Sequence, residues 1–217
     1  MAGYKAHMAF GMATGLCWAI VAFMLSLVSA WFIPLIFIFT VMGAFLPDLD
    51  SDTGMPLKIL LMVFSVIGSI FTGWIVINQE GHSLLELFGV PLFTGLFIYY
   101  GIGSVFKKLT HHRGIFHSIP AVILATLVTL TVLNHFELDT NIIITLSLGV
   151  GLGYLCHLIL DELNSVVNLG GIPFIPNKSI GTALKLYSKN WKTSLVVYVA
   201  ISWFLYQNWG NIMDFIK

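Results

Sequence analysis

His157 and Asp161 stand four residues apart inside an apolar run. On an α-helix that spacing puts an imidazole and a carboxylate on one face, where both can ligate a single metal ion. A second acidic signal is Leu46-Pro47-Asp48-Leu49-Asp50. In extended geometry two carboxylates two residues apart point the same way, which suits binding one ion or bridging two. A third signal is His112-Arg113-Gly114-Ile115-Phe116-His117. Imidazoles five apart diverge by about 140° on a regular helix, so a turn is expected there, with Gly114 supplying the backbone freedom. Imidazole mixed with carboxylate suits zinc, manganese or iron better than magnesium or calcium.

The elements that must position these groups are membrane helices. Of the 217 residues, 58% are hydrophobic and 9% charged, and the mean hydropathy is +0.93. Soluble domains carry about 25% charged residues. The composition excludes a solvated surface all round, intrinsic disorder, a basic nucleic-acid-binding face and a charged coiled coil. Ten acids balance ten bases, so no global field steers a partner. The run from Met8 to Phe45 has no charged side chain. As one helix it would be roughly 57 Å long against a hydrocarbon core of about 30 Å. It must fold back, and Ser29-Ala30-Trp31-Phe32-Ile33-Pro34 is the place, with interfacial aromatics and a proline that opens the next helix. A short second span over 33–46 should stop at Pro47. Further spans are expected at 57–78, 84–106, 118–134, 141–160 and 193–208, each near the roughly 20 residues a bilayer asks for. Ser118-Ile119-Pro120 reads as a helix start. The expectation is an all-α polytopic bundle, a single domain over 1–217, with about seven spans and six as the alternative. The long connection 164–192 is expected to be a re-entrant or interfacial segment followed by a surface helix on the cytoplasmic side. Cys17 and Cys156, without CxxC spacing, read as free thiols buried in lipid-facing or bundle positions.

Loop parity then orients the chain. Nine of the ten basic residues fall on one side and Lys217 alone on the other, which sets the N-terminus in the cytoplasm. On that topology five of seven histidines and five of ten acids meet at the cytoplasmic face. Any one of them, such as Asp52, His111 or Glu162, is an ordinary helix-end residue; together they form a candidate metal site. Lys107, Lys108, Lys185, Lys189 and Lys192 read first as interfacial anchors, with anionic lipid headgroups as their functional alternative.

A histidine near the start of span one, Leu-Pro-Asp-Leu-Asp, His-Arg-Gly-Ile-Phe-His-Ser and His-Leu-Ile-Leu-Asp occur here in one order. That order resembles the YdjM-type family of predicted membrane-bound metal-dependent hydrolases over nearly the whole chain, from His7 to about Pro176. The family is in turn distantly similar to zinc phospholipase C and the zinc single-strand nucleases. The resemblance implies His7, Asp48, His117, His157 and Asp161 as metal ligands, with Asp50 and His112 next. The N-terminal Trp and the extra His-x-Glu of the distant relatives are absent, so one or two ions are expected in place of three.

The function expected is an integral-membrane metal-dependent hydrolase that cleaves a phosphoester of a lipid or lipid-linked substrate at the cytoplasmic face of a prokaryotic inner membrane. Zinc is the first choice of metal and manganese the alternative. Arg113 would stabilise charge on the phosphoryl oxygens. Asp50 or His112 would serve as general acid or base. Ser118 would cap a helix whose positive end faces the substrate. Two other classes use the same residues: a divalent-cation transporter, and a membrane scaffold with a structural metal. Metal flux into proteoliposomes separates the first from an enzyme, and a closed coordination sphere marks the second.

Overall fold

The computed structural model describes residues 3–50, 55–79, 81–104, 116–166, 184–188 and 191–216, and at 4, 50, 55, 56, 165 and 166 the backbone alone. The elements are α1 (Tyr4–Met24), a 3-10 turn Ala30–Phe32, α2 (Ile33–Phe45), a 3-10 turn Leu46–Asp50, α3 (Met55–Ile77), α4 (Leu84–Leu96) continued by a π-helical turn Phe97–Ile102, α5 (Ile119–Leu133), α6 (Thr140–Val166), α7 (Trp191–Gln207) and α8 (Trp209–Ile216). All regular structure among the described residues is helical, apart from one isolated parallel bridge between Ser118 and Lys185. Among the described residues, five stretches are long and apolar enough to cross a membrane: Lys5–Met24, Ala30–Leu49, Leu57–Ile77, Leu84–Ile102 and Thr140–Asn164. The two remaining expected spans are helices of 15 and 17 residues, α5 and α7, below the usual spanning length.

The chain divides into two compact units, residues 1–47 with 115–217, and residues 48–114. The second is a helical hairpin. Gly81 makes its turn at φ 77°, and Ser83 with Glu86 forms a capping box at the start of α4, satisfying two donors that the helix end leaves orphaned. Ser69 Oγ donates to the Pro91 carbonyl at 2.8 Å, tying α3 to α4. The outer faces carry exposed Ile67, Phe71, Trp74, Phe88 and Phe93, as lipid contact requires.

In the first unit the fold-back lies where the sequence places it. α1 ends at Met24, Ser26 takes φ 55°, and Pro34 sits in the first turn of α2, where its missing N–H costs nothing. The helix at the centre is α6, which packs on α1, α2, α5 and α8 and has 72% of its most apolar window buried, against 28% or less for the other four. Trp18 Nε1 donates to the Thr145 carbonyl at 3.0 Å, fixing α1 against α6. Ala19, Ile36, Leu130 and Leu146 form the core at one end of this bundle. Tyr154, Leu158, Ala121 and Val122 form a smaller cluster towards the other. Both cysteines are free: Cys156 is buried in the bundle and Cys17 is exposed on α1, a lipid-facing position.

Two glycines set the distance between α2 and α6. A Cβ on Gly153 would strike the Thr40 carbonyl and come within 2.9 Å of the Ala44 nitrogen; one on Gly43 would strike the Val150 carbonyl. Backbone rests on backbone, the small-residue packing that association in lipid favours. Two local expectations are corrected. Asp48 and Asp50 do not follow an extended segment, because a 3-10 turn continues through Pro47. Positions two apart on such a turn lie about 120° from each other around its axis. Residues 184–187 form no surface helix either: they bend around the bridge at Lys185.

Gly153→Ala is expected to destabilise the protein by at least about 1–3 kcal/mol, the usual cost of overpacking, seen as a lowered thermal midpoint in detergent. Gly89→Ala, whose Cβ meets nothing within 4 Å, leaves the midpoint in place. Equal midpoints for the two variants would refute the backbone contact.

Candidate metal centre

Four ionisable side chains converge inside the first unit. His7 lies in the first turn of α1. His157 and Asp161 lie one turn apart on α6. His117 immediately precedes the cap of α5, whose Ser118 Oγ accepts from Ala121 N at 3.4 Å, with Pro120 in the first turn. All four are sealed from the surface, at 3%, 2%, 4% and 2% exposure for His7, His157, Asp161 and His117. A buried carboxylate needs opposite charge and hydrogen bonds around it, and this one faces three imidazoles.

The carboxylate divides its oxygens. His7 Nε2 stands 3.2 Å from Asp161 Oδ1. His117 Nε2 and His157 Nε2 stand 3.7 and 3.9 Å from Oδ2. One ligand atom from each of His117, His157 and Asp161 lies within 4.8 Å of the others. Ligands at 2.0–2.1 Å from a tetrahedral zinc are separated by roughly 3.3 Å, so these spacings need close only modestly around an ion. The His7 and His157 rings stack with centroids 3.7 Å apart and planes 11° from parallel. Like charges on two rings at that separation would repel each other. A single cation between nitrogen lone pairs and the carboxylate avoids that repulsion.

One backbone carbonyl orients the His157 ring, and a second holds the segment that carries His117. His157 Nδ1 lies 2.7 Å from the Ala44 carbonyl oxygen. That oxygen can only accept, so Nδ1 carries the proton, and in the neutral ring Nε2 is then the nitrogen that offers a lone pair to the cluster, the arrangement of a metal-ligating histidine. The contact exists because Gly43 and Gly153 let the end of α2 lie against α6. Tyr154, three residues before His157, donates its phenolic hydroxyl to the Phe116 carbonyl at 2.7 Å, pinning the segment that carries His117. His7 Nδ1 is buried without a hydrogen-bond partner among the described residues. Donor types, spacing, tautomer and an orphaned ring nitrogen all fit a metal ion.

Of the residues expected at the site, His7, His117, His157 and Asp161 are brought together. Ser118 is fully buried and serves as the cap of α5. Asp48 lies in the 3-10 turn after α2, at the head of the other unit, and Asp50 ends that turn. The side chain of Asp50 and all of His112 and Arg113 lie outside the described residues. Tyr154, the Ala44 carbonyl and the glycine pair were not anticipated. Tyr154 had a readable signal: a hydroxyl in an apolar helix, at i−3 to His157 and i−7 to Asp161, shares their face.

Apolar spanning helices around a buried histidine–aspartate cluster define a helical membrane protein with a candidate metal centre. The model of the YdjM inner membrane protein family matches residues 1–216. The chain belongs to that family. No curated protein and no solved structure matches it.

Tyr154→Phe removes the hydroxyl that holds the His117 segment. The expected loss is about 1 kcal/mol in stability and about tenfold in metal affinity, read by competition with a chromophoric chelator. Unchanged affinity would show that His117 is held without Tyr154.

Proposed function

We propose that the protein is an integral-membrane metal-dependent hydrolase that cleaves a phosphoester of a lipid or lipid-linked substrate at the cytoplasmic face of a prokaryotic inner membrane. The observation that carries this reading is the convergence of three imidazoles on Asp161, with the Nε2 edge of His157 held toward it by the Nδ1 contact to Ala44. The orientation rests on the distribution of basic residues, nine of ten on one side of seven proposed crossings. In this topology α5 and α7 complete the seven.

His7, His117, His157 and Asp161 would hold the metal, with Asp48, Asp50 and His112 as the remaining proposed ligands. Zinc suits the donor set best and manganese is the alternative, as one or two ions. A divalent ion there supplies Lewis acidity to the phosphoryl oxygens and a bound water with a pKa lowered toward neutrality. The protein's own groups do the rest. Asp161 presents its two oxygens to different imidazoles and keeps them in register. Arg113 stabilises charge growing on the phosphoryl oxygens. Ser118 caps α5, whose N-terminus adds partial positive charge. Asp50 or His112, where it does not ligate, moves the proton to or from the reacting oxygen.

One observation favours a second reading, a scaffold with a structural metal: four buried donors are enough to close a tetrahedral zinc. The two readings separate in one set of measurements. Protein purified without chelators should carry at least about one divalent ion per chain and hydrolyse phospholipid or soluble phosphoester probes. Asp161→Ala should lose both the ion and the hydrolysis. Bound metal without hydrolysis selects the scaffold, and a metal ratio near zero overturns both.

A further inference from the structure

Lys185 lies in the long connection between α6 and α7, where an interfacial lysine anchors to headgroups by default. Its placement is unlike that of an anchor. Ser118 and Lys185 form the parallel bridge, and Ile119 N donates to the Lys185 carbonyl at 3.0 Å. A parallel pair sits roughly 4.8 Å apart, so Lys185 is fixed beside the residue next to His117. Its neighbours are fixed as well. Leu184 packs on the cluster of Ala121, Val122, Tyr154 and Leu158, and Tyr198 donates to the Leu186 carbonyl at 2.8 Å. Ser188 N donates to Ser194 Oγ at 2.8 Å, tying the same segment to α7. Among the described lysines, Lys5, Lys58 and Lys192 are exposed, whereas Lys185 is half-buried.

We propose that Lys185 is the cation that binds the phosphate group of the substrate beside the His7–His117–His157–Asp161 cluster. The proposal rests on the metal-centre reading above and gives its substrate a class, a phosphate anion. The charge balance supports it. A divalent ion with the Asp161 carboxylate alone leaves one net positive charge, each further carboxylate ligand such as Asp48 or Asp50 lowers it by one, and a phosphoester brings one or two more negative charges, so the site calls for an added cation. A lysine on a four-carbon stem, rooted one residue from a ligand, supplies a positive point charge suited to phosphate. The bridge itself is made by the backbone, so side-chain substitution at 185 leaves it intact.

The test uses the full chain in detergent. Metal content is measured by elemental analysis, and inorganic phosphate is titrated into metal-loaded protein by calorimetry. Lys185→Ala is expected to keep the wild-type metal ratio and to weaken phosphate binding by about tenfold or more. Lys185→Arg, which keeps the charge, should restore affinity to within about threefold, and Lys192→Ala should match wild type. Micelles doped with phosphatidic acid give the second arm. Affinity above that for inorganic phosphate, lost in Lys185→Ala, assigns a lipid headgroup; equal affinity assigns a soluble phosphate. Unchanged phosphate affinity in metal-loaded Lys185→Ala overturns the proposal and leaves the metal centre standing. So does a metal-loaded wild type that binds no phosphate, or loss of metal in Lys185→Ala, which would make the residue a support of the cluster. Wild-type protein without metal overturns the metal-centre reading and this one with it.

Discussion

The contact of α2 with α6, backbone against backbone at Gly43 and Gly153, is the constraint on which the site depends. In lipid, helices gain no hydrophobic free energy by pairing, so close packing and interhelical hydrogen bonds must hold them. Here both come from one crossing. The glycines bring the end of α2 within reach of α6, and the Ala44 carbonyl then takes the Nδ1 proton of His157. Moving α2 outward by the radius of a methyl group would break that bond and free the ring. The ring's second nitrogen would then no longer be aimed at Asp161. A packing choice in the apolar part of the bundle therefore becomes a choice of tautomer at its polar end.

The same bundle separates its two kinds of polarity. Away from the cluster, Thr40, Thr126, Thr129, Thr131 and Ser147 return their hydroxyls to carbonyls on their own helices. Asn134 and Asn208 bond each other at 2.6 Å, with Asn208 also reaching Thr131. These groups are neutral and find partners locally, so each adds little cost in an apolar interior. The buried ionisable groups are gathered at the start of α1, the approach to α5 and the later turns of α6. An ionised carboxylate within a span costs about 2.5–3.5 kcal/mol at the centre, and retaining Asp161 there requires a compensating partner. Three imidazoles and a shared cation answer that requirement better than any one imidazole, since the His7–His157 stack disfavours charging both rings.

What was legible in the sequence follows the range of the interactions. His157 and Asp161 were readable because helical spacing is local and the surrounding residues are apolar. His117 was readable from the histidine pair of the 112–117 run, and both it and His7 from the resemblance of motifs. The geometry expected of the acids at 48 and 50 was wrong, because a proline in a continuing 3-10 turn does not provide a pleated segment. The partners of the ligands were out of reach. Ala44 acts through its carbonyl, which no side chain announces, and it meets His157 across 113 positions of chain. The bridge from Lys185 to Ser118 joins residues that share no periodicity, and composition ranked Lys185 with the anchors. The glycines at 43 and 153 could be seen, but not which helix each would face.

That difference in range bears on how the centre works. The four donors lie on helices or at a helix cap, where rotamers are set by packing, whereas Lys185 lies on a connecting segment held at several points. A structural metal needs only the helical donors, and nothing in closing its coordination sphere calls for a lysine beside His117. A site that receives an anion needs both parts. It requires rigid ligands to fix the ion and a tethered cation to complement the arriving charge, placed where a bilayer presents phosphate groups. The proposed hydrolase reading accounts for the half-buried lysine, the helix cap at Ser118 and the buried carboxylate with one arrangement of charge. The scaffold reading accounts for the four buried donors and gives the lysine no part.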